Sequence, residues 1–110
     1  MKIDFDAIEE KRVPGFKGGT GTAVLRVYDD DTIRIIRGCL EKDSSIGMHT
    51  HEGTSETVYI LEGSGKMICD GMEEELKAGS CSYCPEGHTH SLINTGETPL
   101  QFLGVVPKLK

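Results

Sequence analysis

Helical periodicity is nearly absent from this chain. Nine β-rich runs of four to nine residues take its place, each closed by a turn signal. Residues 23–28 (AVLRVY) end at Asp29-Asp30-Asp31, and residues 32–40 (TIRIIRGCL) end in the polar stretch 41–45. Residues 46–51 and 57–62 (TVYILE) follow, then the turn Gly63-Ser64-Gly65. Asp70-Gly71 separates 66–69 from 74–77, and such a dipeptide is a strong hairpin signal because type I′ turns need positive φ at both positions. Residues 80–84, 90–94 and 100–106 complete the set, set apart by Ala78-Gly79, Pro85-Glu86-Gly87 and Gly96-Glu97-Thr98-Pro99. Many short strands at this spacing predict an all-β sandwich or closed barrel. The best helical candidate, residues 5–12, is one short acidic segment ahead of Pro14.

A chain of 110 residues holds one core, and at that length about two-thirds of the unfolded surface can be buried. We read residues 23–107 as a single barrel and 1–22 as an N-terminal extension or edge strand. With 36% hydrophobic and 27% charged residues the composition is that of a folded domain rather than a disordered one. The net charge of −6 repels phosphate backbones and anionic lipid, and the basic residues form no stripe, so neither nucleic acid nor a membrane is an expected partner. Near the N-terminus there is no apolar run of the roughly 7–15 residues that a signal peptide needs, which predicts a cytoplasmic protein with reduced cysteines. Cys81 and Cys84 form a C-x-x-C, but it runs straight into the turn at Pro85, and Cys39 and Cys69 stand alone. A redox pair sits at a helix N-terminus and a zinc ribbon needs a second such pair, so these cysteines read as small apolar strand residues.

The chemistry concentrates in the histidines. His49 and His51 are two apart, and residues i and i+2 of a strand share a face, so both imidazoles can reach one ion. Glu56 follows after a short reversal at 52–55, and a strand returning beside the first would aim its carboxylate inward. His90 is distant in sequence but comes directly after the tight turn of Pro85 and Gly87. Three imidazoles and one carboxylate make a borderline donor set suited to Zn, Fe, Mn, Ni or Co, with positions left for water or substrate.

Two spaced motifs run through these residues. His49-x-His51, four residues, Glu56, six residues, Gly63 resembles the first cupin motif. Gly79, five residues, Pro85-x-Gly87, two residues, His90, three residues, Asn94 resembles the second at every position. One position departs: where the family's first motif opens with glycine, six residues before the first histidine, this chain has Asp43, and a glycine appears at Gly47. The resemblance implies a double-stranded β-helix, or jelly-roll barrel, of six to eight antiparallel strands. It implies one divalent transition metal per chain held by His49, His51, Glu56 and His90, and a small, anionic organic ligand. Similar proteins include dioxygenases, decarboxylases and isomerases as well as non-catalytic ligand-binding or sensor domains, and they often form homodimers. A metalloenzyme is therefore the first expectation and a binding or sensor domain the alternative, with no catalytic residue beyond the ligands assigned. His88, Tyr59 and Tyr83 are candidates for the pocket wall or for supporting the ligands. Asn94 is expected to close a strand end, and any of Arg26, Arg34 and Arg37 that faced inward would offer a guanidinium to a carboxylate.

Overall fold

The computed structural model of the protein describes residues 1–109. Ten strands form: β1 (Lys11–Pro14), β2 (Thr22–Asp29), β3 (Ile33–Leu40), β4 (Ser45–Thr50), β5 (Glu56–Glu62), β6 (Ser64–Cys69), β7 (Met72–Lys77), β8 (Cys81–Cys84), β9 (Thr89–Asn94) and β10 (Leu100–Pro107). They make two antiparallel sheets, one of six strands in the order β1-β2-β3-β10-β5-β8 and one of four in the order β4-β9-β6-β7. The turn spacing points to a sandwich or closed barrel and the cupin resemblance to the jelly-roll form found here, which has ten strands rather than the six to eight that the resemblance implies. Residues 11–14 carry no alternation that would mark them, yet they pair with β2 and add an edge strand. Gly63, at φ +94°, makes the turn between β5 and β6 by itself, and Ser64 and Gly65, read from the sequence as part of that turn, belong to β6. Residues 5–12 do not form a helix: a single 3-10 turn at Phe5–Ala7, capped by the Asp4 side chain, gives way to β1.

Strand parity puts the core between the sheets. On β10 the even positions Leu100, Phe102 and Val106 face inward and are buried, as are Leu40 on β3, Ile60 on β5 and Met67 on β6. Exposing such side chains would cost about 1.5–3 kcal/mol each, which ties every strand to this register. Asp70 and Gly71 both have positive φ and close the β6–β7 hairpin as the type I′ signal predicts. Asp43 sits at φ +64°. That is the left-handed region, which glycine enters most easily and aspartate tolerates better than most side chains.

Asn94 ties the end of β9 to two neighbouring segments. Its amide nitrogen donates to the carbonyls of Leu40, Glu41 and Thr98 at 3.0, 3.2 and 3.0 Å, and its oxygen accepts from the Gly96 N–H at 2.9 Å. Among the described residues no helix is long and apolar enough to cross a membrane. The four cysteines are free. On β8 the outward Cys81 is exposed and the inward Cys84 buried, because residues three apart on a strand point to opposite faces.

Candidate metal centre and ligand cavity

Both sheets contribute to one cluster. On the four-stranded sheet, His49 of β4 pairs directly with His90 of β9, so their side chains stand on the same face. His51 lies just past β4, where its N–H donates to the His88 carbonyl at 3.1 Å and its carbonyl accepts from the Gly87 N–H at 2.7 Å. The Pro85–Gly87 turn of the second motif therefore clamps the histidine strand of the first. Glu56 opens β5 on the opposite sheet and turns its carboxylate across the barrel. Gly104 on β10 leaves room for it, since a Cβ there would stand 2.8 Å from Glu56 Oε2.

The ligand-capable atoms of His49, His51, Glu56 and His90 all lie within 4.8 Å of one another. His51 Nε2 is 3.0 Å from His90 Nε2, and Glu56 Oε1 is 3.2 and 2.9 Å from these two nitrogens. Donor separations near 3 Å are the edges of a coordination shell with bonds of about 2.1 Å. The ring of His49 is aimed by its neighbour: Nδ1 is 2.7 Å from the Gly47 carbonyl, which can only accept, so Nδ1 carries the proton and Nε2 keeps its lone pair. His51 Nδ1 is held by the Thr54 hydroxyl at 2.9 Å. These are the supporting contacts that metal-binding histidines require.

Electrostatics favour a neutral His49 and an ionised Glu56. Burial, reinforced by His90 and His51, holds His49 below its ordinary value, against the hydrogen bond to Gly47 that would raise it. Burial alone would raise the Glu56 pKa, but hydrogen bonds from His51 and His90 outweigh it and hold the carboxyl at about 2. A carboxylate anion and an imidazole lone pair are the forms that bind a cation.

A cavity of about 320 Å³ opens beside the cluster. Its inner wall is apolar, from Leu25, Ile36, Ile46, Phe102 and Val106, and its mouth carries Lys17, Arg34, Glu52 and Lys108. Of the three arginines considered from the sequence, Arg34 alone lines this space. Arg26 is turned outward, donating to the carbonyls of Phe5, Asp6 and Ile8, and Arg37 bonds Gln101 on the outer face.

The other candidates lie elsewhere. Tyr59 and Tyr83 are 42% and 61% exposed and do not line the cavity. Parity explains the correction: on β5 the inward positions are Glu56, Val58 and Ile60, and on β8 they are Ser82 and Cys84. His88 is also exposed, because β9 begins at Thr89 and the alternation from His90 does not extend into the turn; its ring bonds Asp70 at the β6–β7 hairpin. Four residues of the site have no signal in the strand pattern: Lys17, Thr54, Gly104 and Lys108 enter through loops and a neighbouring strand.

The family profile of the cupin domain matches residues 36–106. An oxalate-binding protein of Thermotoga maritima is 32% identical over 112 residues, covering 96% of this chain and 93% of that protein. The crystal structure of a predicted oxalate decarboxylase from Thermotoga maritima, also 32% identical, superposes with a TM-score of 0.92 over 99% of this chain and 100% of that one. An RmlC-like cupin from Shewanella frigidimarina, at 16% identity, shares the fold with a TM-score of 0.79 over 96% of this chain and 87% of that one. This chain belongs to the cupin domain family.

Proposed function

We propose that this protein binds a small carboxylate anion, of the size of oxalate, at a divalent transition metal held by His49, His51, Glu56 and His90. The observation that carries the reading is the convergence of three imidazoles and a depressed carboxyl on the wall of a cavity with three cations at its mouth. The similarity to an oxalate-binding protein supports the ligand class. When bound, such a metal supplies Lewis acidity toward carboxylate oxygens. The apolar residues of the wall lower the local polarity and so strengthen that attraction. The test is to load chelator-stripped protein with Mn, Fe, Co, Ni or Zn and titrate oxalate calorimetrically. One metal per chain and oxalate binding only to loaded protein are expected; oxalate binding that ignores the metal would sink the reading.

Metal-dependent turnover, of dioxygenase, decarboxylase or isomerase type, is the second reading. Glu52 favours it: this exposed acid lines the mouth and forms no ion pair among the described residues, so it is available to move a proton. Release of carbon dioxide or formate from oxalate by loaded wild-type protein, lost in Glu52→Gln, would favour turnover over binding alone.

We also propose that the chain forms a homodimer through the outer face of the six-stranded sheet. The rows Ile35–Val105–Thr57–Tyr83 and Leu103–Tyr59 cross that face, and Tyr59, Leu61 and Tyr83 are exposed on it. Two copies of a chain with charge −6 repel through most of their surfaces, and these rows contain no acid.

A further inference from the structure

We infer that Lys17 selects the ligand, engaging the end of a small dicarboxylate that faces the cavity mouth. The inference rests on the metal-and-carboxylate reading and adds to it the residue that distinguishes two carboxylates from one.

Three cations reach the mouth, and two of them are engaged. Arg34 pairs with Asp29 at 3.2 Å, and Lys108 Nζ lies 2.6 Å from both Asp29 Oδ1 and the Asp30 carbonyl. Lys17 lines the same cavity and makes no ion pair among the described residues. Its ammonium stands 5.7 Å from the ring centroid of Phe16, another wall residue. Glu52 brings an opposing charge to the same rim, so a dianion entering there needs a cation not already paired with an acid.

The backbone holds that cation in place. Lys17 sits at φ +55°, a conformation glycine would take more easily, inside the glycine-rich turn between Gly15 and Gly19. This turn is locked to β4 immediately before the histidines. A Cβ on Gly47 would stand 2.0 Å from the Lys17 carbonyl, and one on Gly19 would stand 2.1 Å from the Ser45 carbonyl. The Thr20 N–H donates to Ser45 Oγ and the Ser45 N–H to the Thr20 carbonyl, each at 2.9 Å. The Gly47 carbonyl in turn accepts the hydrogen bond from His49 Nδ1–H. One short chain of backbone contacts thus joins Lys17 to a candidate ligand. A lysine kept in a left-handed turn at a cavity rim has a reason to be there beyond the turn itself.

Variants separate this role from a structural one. Lys17→Gly relaxes the turn and removes the charge; Lys17→Gln removes the charge alone; Lys17→Arg restores it. With metal-loaded protein, calorimetric titration is expected to show oxalate binding weakened about tenfold in Lys17→Gly and Lys17→Gln and largely restored in Lys17→Arg. Acetate binding and metal stoichiometry stay at wild-type values, and Lys17→Gly melts no lower than wild type. Oxalate bound as tightly by Lys17→Gly and Lys17→Gln as by wild type overturns the role of Lys17 and leaves the metal-and-carboxylate reading standing. Loaded wild-type protein that takes neither oxalate nor malonate overturns both.

Discussion

Glu56 reaches across the barrel only because position 104 has no side chain: a Cβ on Gly104 would lie 2.8 Å from Glu56 Oε2. The atom it meets is the end of a side chain that can swing away, so the backbone of β10 need not move. Gly104→Ala is therefore expected to fold with near-wild-type stability and to bind metal about 10–100-fold more weakly, the range for losing a contact that positions a ligand. Competition against a chelator of known affinity measures it. Unchanged metal affinity would show that Glu56 does not need its present position.

The stability of the metal-free protein should fall with acid over two pH windows. His49 is held below its ordinary 6.5, chiefly by burial, so the fold prefers its neutral form; that stability is present above pH 6.5 and is lost as pH falls below it. Glu56 drops from an ordinary 4.5 to about 2, so its contribution is full above pH 4.5 and disappears between there and about pH 2. That shift corresponds to about 3 kcal/mol. The stability gap between wild type and Glu56→Gln, from urea unfolding at successive pH values, should narrow as pH falls below 4.5. A constant gap down to pH 3 would contradict the depressed carboxyl.

Asn94 gives a prediction about the fold alone. Alanine there leaves the carbonyls of Leu40, Glu41 and Thr98 without their shared donor, and Asn94 is 4% exposed, so water does not readily replace it. The expected loss is about 1–3 kcal/mol, a Tm drop on the order of 10 °C. Metal content should not change, since Asn94 lies four residues along β9 from His90, about 13 Å away. Loss of metal together with stability would mean that the strand end and the site are coupled.

Thr54 gives the complementary prediction for the site alone. Its hydroxyl is 2.9 Å from His51 Nδ1, and the side chain is only partly buried. Thr54→Val keeps the shape and removes the bond, freeing the His51 ring to rotate. Metal affinity should fall about tenfold while the melting temperature stays within a few degrees of wild type. Equal affinity would assign the orientation of His51 to packing alone.

Strand parity and turn chemistry carried most of the fold and the four clustered residues. His49 and His51 share a face because they are two apart, and Asp70-Gly71 closes its hairpin as its φ angles require. The same rule, applied outward from Glu56, places Tyr59 outside, since the two are three residues apart on β5. What the sequence conceals is contact between loops and distant strands. Nothing local to residues 15–19 shows that their carbonyls and glycines seat against Ser45 and Gly47. Nothing around Gly104 points to Glu56, 48 positions earlier. Such relations depend on how the sheets close, which is set by the whole core.

The outer sheet face yields the last prediction. Leu103 and Tyr59 are cross-strand partners at the middle of that face, flanked by Val105, Leu61 and Tyr83. Packing these rows against their copies on a second chain would hide large apolar side chains, and a twofold axis lets one patch serve as both halves of the contact. Light scattering during size exclusion should give the wild type twice the 12.0 kDa chain mass. Leu103→Glu combined with Tyr59→Glu places four carboxylates in the proposed interface and should give a monomer. Because the substituted side chains point away from the cavity, the variant should keep its metal stoichiometry. Its melting temperature should stop rising with protein concentration, as that of a dimer does. A wild-type mass of one chain across a tenfold concentration range would remove the dimer, and a variant that stayed dimeric would move the interface to another face.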